Sequence, residues 1–202
     1  MISRRVLLHG WGFTPSVFSS FRGFKPYLTD GPFRSWYELV ARLASRLDRG
    51  HEVVGWSMGG AVAVLLAYFF PKKVSRLVLV GTSPFFGGAW EKKNLRAFKA
   101  RLKREGVGFF HKLAVGRELE APPLELLTGY LEAFLELDLR PLLPHLRHEV
   151  VVVQGLDDAV VPVKEAYALK RLLKRSKLIL LPGGHLPIGH EAELDRLLYQ
   201  SG

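Results

Sequence analysis

The stretch Glu52–Ala67, EVVGWSMGGAVAVLLA, changes character at Ser57. Val53 and Val54 before it suit a buried strand. Ala61–Leu66 after it form a continuous apolar run that suits a buried helix. Between them Gly55-Trp56-Ser57-Met58-Gly59 fits G-x-S-x-G, and Gly60 follows. On a sharp strand-to-helix turn the serine must take unfavourable backbone angles, and side chains at the flanking positions would clash. In return its Oγ stands clear of the sheet, and the N–H of Met58 points the same way at a helix N-terminus. The motif alone leaves two readings open: a nucleophile, or a small residue where the turn needs one.

A nucleophilic serine needs a base, and the base needs an orienting acid. On this kind of turn they follow in the order serine, acid, histidine. The apolar run HEVVVVQG, 148–155, leads into a loop with Asp157 and Asp158, and KLILLPGGH, 177–185, ends at His185. One helix and one strand separate Asp158 from His185, so both loops fall at the carboxyl edge of a parallel sheet, beside Ser57. The loop pattern G-x-x-D-x-x-V-P, Gly155–Pro162, puts the acid at Asp158 and leaves Asp157 as a solvated carboxylate or turn former. The oxyanion of an acyl-transfer intermediate needs two N–H donors. Met58 supplies one, and Trp11, in the HGWG loop after the first strand, supplies the other. His9 is expected to shape that loop. His51, His111, His145, His148 and His190 lack triad context and are expected in surface or capping roles.

Around these points the chain alternates strand and helix. RRVLLH, 4–9, reads as a strand, and KPYLTDG, 25–31, as a short strand ending at Asp30. A helix start is expected at Thr14 and Pro15. SWYELVARLASRLDR, 35–49, is an amphipathic helix. SRLVLVGTSP, 75–84, is a strand, VKEAYALKRLLKR, 163–175, a helix, and EAELDRLLYQ, 191–200, a last helix. Continuously apolar strands alternating with helices imply a parallel α/β sheet of about six strands. Residues 85–141 break the alternation: the pattern there is helical, inserted between two core strands. The expected division is a core of 1–84 and 142–202 with a helical insertion of 85–141.

The bulk numbers set limits. A chain of 202 residues, 48% hydrophobic, builds one domain with a sizeable core. No signal peptide or membrane span is legible, so a cytoplasmic protein is expected. Cysteine is absent, which removes disulfides, thiolate nucleophiles and cysteine-ligated zinc. Asn94, Gln154 and Gln200 are the only side-chain amides, which fits either a thermophilic source or a GC-rich genome. The net charge of +10 attracts polyanions without saying which.

VLLHGWG, GWSMGG, GTSP, QGLDDAVVP and GGHLPIGHEAEL together resemble the α/β-hydrolases. More narrowly, HGWG with GWSMGG and the TSPFF after the next strand is similar to the pimeloyl-[acyl-carrier protein] methyl ester carboxylesterases of biotin synthesis. The resemblance implies a serine esterase with a helical lid and no cofactor, which releases methanol from an ester carried on acyl carrier protein. It implies an acyl pocket formed by Trp11, Ser57, Met58 and a lid segment like FFHKL, with Phe109, Phe110 and Leu113. The chain departs from the pattern in three places. Two N-terminal strands common in the fold are missing, the usual D-x-P-G-x-G-x-S is reduced to TDGPFRSW, and the lid is short. Lys92, Arg96, Lys99 and Lys103 fall on one face of the lid's first helix, and Leu95, Phe98 and Leu102 on the opposite one. That basic face is either a solvated helix surface or a docking site for the acidic carrier. Nucleic acid and membrane are poorer partners, since no recognition module is legible and the charge flanks a pocket. A monomer is expected. Two alternatives remain: a general short-chain carboxylesterase without a carrier, and a binding protein that keeps the fold without turnover.

Overall fold

The computed structural model describes residues 4–199; Gln200, the end of the expected last helix, lies outside them. Strands β1 (Arg5–Leu8), β2 (His51–Trp56), β3 (Val74–Val80), β4 (Glu149–Gly155) and β5 (Ser176–Leu181) form one sheet, adjacent in that order and parallel throughout. The central strands are buried along most of their length, as their unbroken Val and Leu runs require of a sheet covered on both faces. β5, at the edge, is only half-buried.

The sixth strand expected at residues 25–30 is absent. That segment touches the sheet through a single parallel bridge, Phe24 to Val6. Phe24 N–H donates to Arg5 O, and Leu7 N–H donates to Phe24 O, each at 2.9 Å. Pairing stops there because Pro26 has no N–H to continue the ladder. Gly23 before it sits at φ +132°, a turn and not a strand conformation.

Helix α1 (Trp36–Ser45) starts where Ser35 Oγ accepts the Glu38 N–H at 3.1 Å and ends short of the expected Arg49. Helix α2 (Met58–Phe69) is buried on every side from Met58 to Ala67, which its all-round apolar sequence permits, and packs on β2, β3 and α1. The start expected at Thr14 is a single 3₁₀ turn, Pro15–Phe18, with the Thr14 side chain accepting the Ser16 N–H. Between β3 and β4 lie α3 (Phe86–Ala89), α4 (Lys92–Glu105), α5 (Gly108–Val115) and α6 (Leu124–Glu136), helices with no strand among them, as expected. α4 is the loosest of them, with Leu102 its only fully buried residue. Helices α7 (Val163–Leu172) and α8 (Glu191–Tyr199) complete the fold. Among the described residues no helix is long and apolar enough to cross a membrane.

The two edges of the sheet differ. At the amino edge the register aligns Arg5, Glu52, Arg76 and Glu149, alternating in charge across four strands. Arg5, 5% exposed, binds Glu52 at 2.7 Å, Asp195 at 2.9 Å and Glu191, so α8 is tied to the sheet. Arg76 also binds Glu52, and the Tyr199 hydroxyl donates to it at 2.7 Å. Burial works to raise the Glu52 pKa, but hydrogen bonds from Arg76, Tyr199 and Arg5 hold it below the usual carboxylate range. The carboxyl edge carries the loops that end in Trp11, Ser57, Asp158 and His185.

Candidate active site

Ser57 joins β2 to α2 at φ 56° and ψ −119°, the one positive φ on a non-glycine residue among those described. A single residue held there stores strain that its surroundings must enforce. Ser57 N–H donates to Val80 O at 2.9 Å, while its carbonyl accepts the Gly60 N–H at 2.9 Å. The glycines are steric requirements. A Cβ on Gly59 would collide with the Leu8 carbonyl, and one on Gly55 with the backbone of Gly59.

Asp158 lies in the loop after β4 with its side chain fully buried. Its Oδ1 accepts the N–H groups of Val160 and Val161, both at 2.8 Å. Its Oδ2 faces His185 Nδ1 at 2.8 Å and accepts from Gln154 Nε2 at 3.1 Å. The carboxylate is therefore fully satisfied and fixed in orientation, which a buried charge requires. Asp157, its neighbour, is exposed, as expected. His185, 1% exposed, keeps Nε2 buried with no partner among the described residues. With Asp158 on Nδ1, the imidazole is set to carry its proton there and leave Nε2 as an acceptor.

Three residues that support this pair escaped the sequence reading. The Trp56 indole donates to His185 O at 2.9 Å and its ring lies 5.2 Å from the imidazole, so the residue before the serine holds the histidine loop. Gly81, at φ +53°, lies so close to His185 that a Cβ would stand 3.0 Å from Nδ1. Gln154 is fully buried and steadies Asp158. The only sequence signal for Gln154 is a lone amide at the end of an apolar strand.

The HGWG loop lies beside Ser57; a Cβ on Gly10 would stand 3.4 Å from the Ser57 Cβ. Among the described residues neither the Trp11 nor the Met58 N–H donates to the protein. His9 is fully buried: Nδ1 faces Gly10 O at 2.9 Å and Nε2 accepts the Leu28 N–H at 2.9 Å. Burial pushes this imidazole down to about 4, so it is a neutral brace for the loop.

Above Ser57 opens an apolar cavity of about 310 Å³, lined by Trp11, Phe98, Phe109, Phe110, Leu113 and Phe134 among others. Met58 is not in that wall: its side chain is buried in the core, and any part it takes in the site is through its backbone. Of the basic face, Lys92, Arg96 and Lys103 are exposed and unpaired among the described residues. Lys99 instead lines the cavity and binds Glu132 of α6 at 2.7 Å. His111 is not at the surface, as its lack of triad context suggested, but fully buried beside the Trp11 loop. His145 and His190 are exposed, and His190 Nδ1 accepts the Glu193 N–H at the start of α8. Among the described residues no group of three or more His, Asp or Glu side chains is arranged to hold a metal ion.

Comparison with known proteins agrees with this architecture. The model of the alpha/beta hydrolase family matches residues 6–197. Among curated proteins, the pimeloyl-[acyl-carrier protein] methyl ester esterase of Vibrio vulnificus (strain CMCP6) is 29% identical over 93% of this chain and 89% of its own. That of Aromatoleum aromaticum is 30% identical, covering 90% of both chains. Among solved structures, a bromoperoxidase from Bacillus anthracis superposes with a TM-score of 0.81 at 19% identity, over 97% of this chain and 90% of that one. At that identity the likeness is one of fold.

Proposed function

The chain belongs to the alpha/beta hydrolase family and is a carboxylic ester hydrolase; we propose that it works as a serine esterase on the methyl ester of a pimeloyl chain held by acyl carrier protein. One observation carries the mechanism: a fully buried Asp158–His185 pair with Nε2 unpartnered, at the sheet edge where a strained Ser57 lines an apolar cavity. No hydrogen bond joins Ser57 Oγ to Nε2 among the described residues, and the transfer requires the two to close up when substrate binds. Ser57 Oγ attacks the ester carbonyl as His185 Nε2 takes its proton. Asp158 orients His185 and stabilises the imidazolium. The N–H groups of Trp11 and Met58 hold the oxyanion. His185 then protonates the leaving methoxide, and water admitted by the same base releases the acid and frees Ser57.

The acyl chain would run from Ser57 along Trp11, Phe109, Phe110 and Leu113, under residues 85–141 acting as a lid on a core of 1–84 and 142–202. The substrate is suggested by the names of the relatives and by the basic surface beside the pocket. Lys92, Arg96 and Lys103 would meet the acidic carrier. Lys99, which binds Glu132, would instead hold α4 to α6. That pairing reduces the free basic face and favours a second reading, an esterase of small esters with no carrier.

The two readings part on purified protein assayed with pimeloyl-acyl carrier protein methyl ester and with p-nitrophenyl butyrate. Efficient demethylation of the carrier-linked ester, lost in Ser57→Ala, supports the carrier reading. Turnover of the small ester alone supports the second. A fluorophosphonate that fails to label Ser57 would overturn both.

A further inference from the structure

We infer that His111 is a positioning residue for the oxyanion loop, so that the helical insertion sets the geometry in which the reaction's charge is stabilised. The inference rests on the esterase reading above. His111 sits on α5, 99 residues from the loop in sequence, and is fully buried. Its Nε2 faces the carbonyl of Gly12 at 2.6 Å, and its Nδ1 accepts the Leu119 N–H at 3.1 Å. These roles fit a single tautomer, with the proton on Nε2 donated to Gly12. The ring stacks on Phe13 at 4.3 Å with the planes 22° apart, so its reach to Gly12 is fixed by packing as well as by hydrogen bonds.

Gly12 is where such a bond has the most effect. It follows Trp11 directly and sits at φ +85°, a conformation glycine leaves easily. The Trp11–Gly12 segment is held on its other sides: Phe13 N–H donates to Gly10 O at 3.3 Å, and the Trp11 indole donates to Leu127 O of α6 at 2.8 Å. Helix α5 and the residue before it also pack on Gly12, where a Cβ would stand 3.1 Å from Val107 Cγ2 and 3.4 Å from Phe110 Cδ1. Without the His111 bond the Gly12 carbonyl is buried and unpaired. Turning it to find a partner swings the Phe13 N–H of the same peptide away from Gly10 O, and the Gly10 carbonyl shares its peptide with the Trp11 N–H, which then loses its aim. An oxyanion donor acts through its aim, so a loss of aim costs rate in the transition state and little in ground-state binding.

The test is steady-state hydrolysis of p-nitrophenyl butyrate together with inhibition by a trifluoromethyl ketone, whose serine adduct places an oxyanion in the hole. His111→Phe keeps the ring and its stack but removes the donor. It should lower kcat by about tenfold or more, leave KM within about twofold, and weaken the ketone by a factor similar to that in kcat. His111→Gln, whose amide reaches as far as Nε2, should restore most of the rate; His111→Asn, which stops a bond short of Gly12, should not. If the Phe variant does not fold, the difference between the Gln and Asn variants decides the question. Unchanged kcat in the Phe variant, or equal rates for Gln and Asn, overturns the inference while leaving the esterase reading intact. A wild-type protein inert toward esters overturns the reading and this inference with it.

Discussion

At the amino edge of the sheet, Arg5, Glu52, Arg76, Glu191 and Asp195 bury charge against opposite charge. At the carboxyl edge, Asp158 and His185 are buried more deeply still, and His185 Nε2 is left without a partner. The first cluster comes from β1, β2, β3 and α8, the second from the loops after β4 and β5. The first ties α8 to the sheet and leaves no reactive atom. The second fixes one acid completely and leaves one acceptor open at the edge that also carries the strained serine. An unsatisfied buried polar atom costs about 1–3 kcal/mol. Ring nitrogens of His51 and His148 at the amino edge are likewise buried without a partner among the described residues; what marks His185 is that its other nitrogen is held by a buried carboxylate.

If that contrast is right, changes at one edge should remove rate and changes at the other should remove stability. The largest effect is expected of Ser57→Ala. Ester hydrolysis should fall by about 10⁵–10⁶-fold, while circular dichroism and the melting temperature stay close to wild type. Retained turnover would break the comparison at its centre. Next comes Asp158→Asn, which keeps the shape but offers Nδ1 the wrong partner and allows the other tautomer; kcat should drop roughly 10⁴-fold.

At the opposite edge Glu52→Gln removes the anion between the buried Arg5 and the half-buried Arg76. Breaking a buried pair from one side costs about 3–5 kcal/mol, so the urea midpoint should fall sharply while kcat on a small ester stays within about twofold. A matching loss of kcat would mean the two edges are not separable. His9 gives a smaller effect with a definite sign. Burial sets its folded pKa at about 4, against about 6.5 unfolded. Between those values the unfolded chain binds a proton that the folded chain refuses. The stability from this group is therefore complete above about pH 6.5 and lost as pH falls towards 4, on the order of 3 kcal/mol in all. Urea unfolding from pH 7 to 4.5 should show the decline, and His9→Gln should flatten it. The smallest effect concerns the surface. Lys92→Glu with Lys103→Glu should cut kcat/KM roughly tenfold on the carrier-linked ester through slower encounter, and leave a small ester unchanged. Equal effects on both esters would rule out the docking surface.

Ser57, Asp158 and His185 could be placed at one sheet edge from sequence because each follows an apolar strand in a parallel sheet, and such strands end at one edge whatever the details of packing. Asp158 could be separated from Asp157 by loop pattern, and the structure finds one buried and the other exposed. The strand expected at residues 25–30 misled because Tyr27 and Leu28 satisfy an apolar pattern, while Pro26 denies the ladder an N–H. Lys99 was grouped with its helical neighbours by spacing alone. Its partner Glu132 is 33 residues away, and no local period reveals such a pair.

The sequence by itself determined the order of strands and helices, the serine turn and the loops that hold Asp158 and His185, because these follow from hydrophobic period and local sterics. Only the tertiary structure decided which polar groups are paired: Gln154 to Asp158, Trp56 to the His185 loop, and His111 to Gly12. Hydrogen bonds between segments far apart in the chain depend on where whole elements come to rest. That resting place is set by the summed packing of the core, which no single stretch of residues encodes.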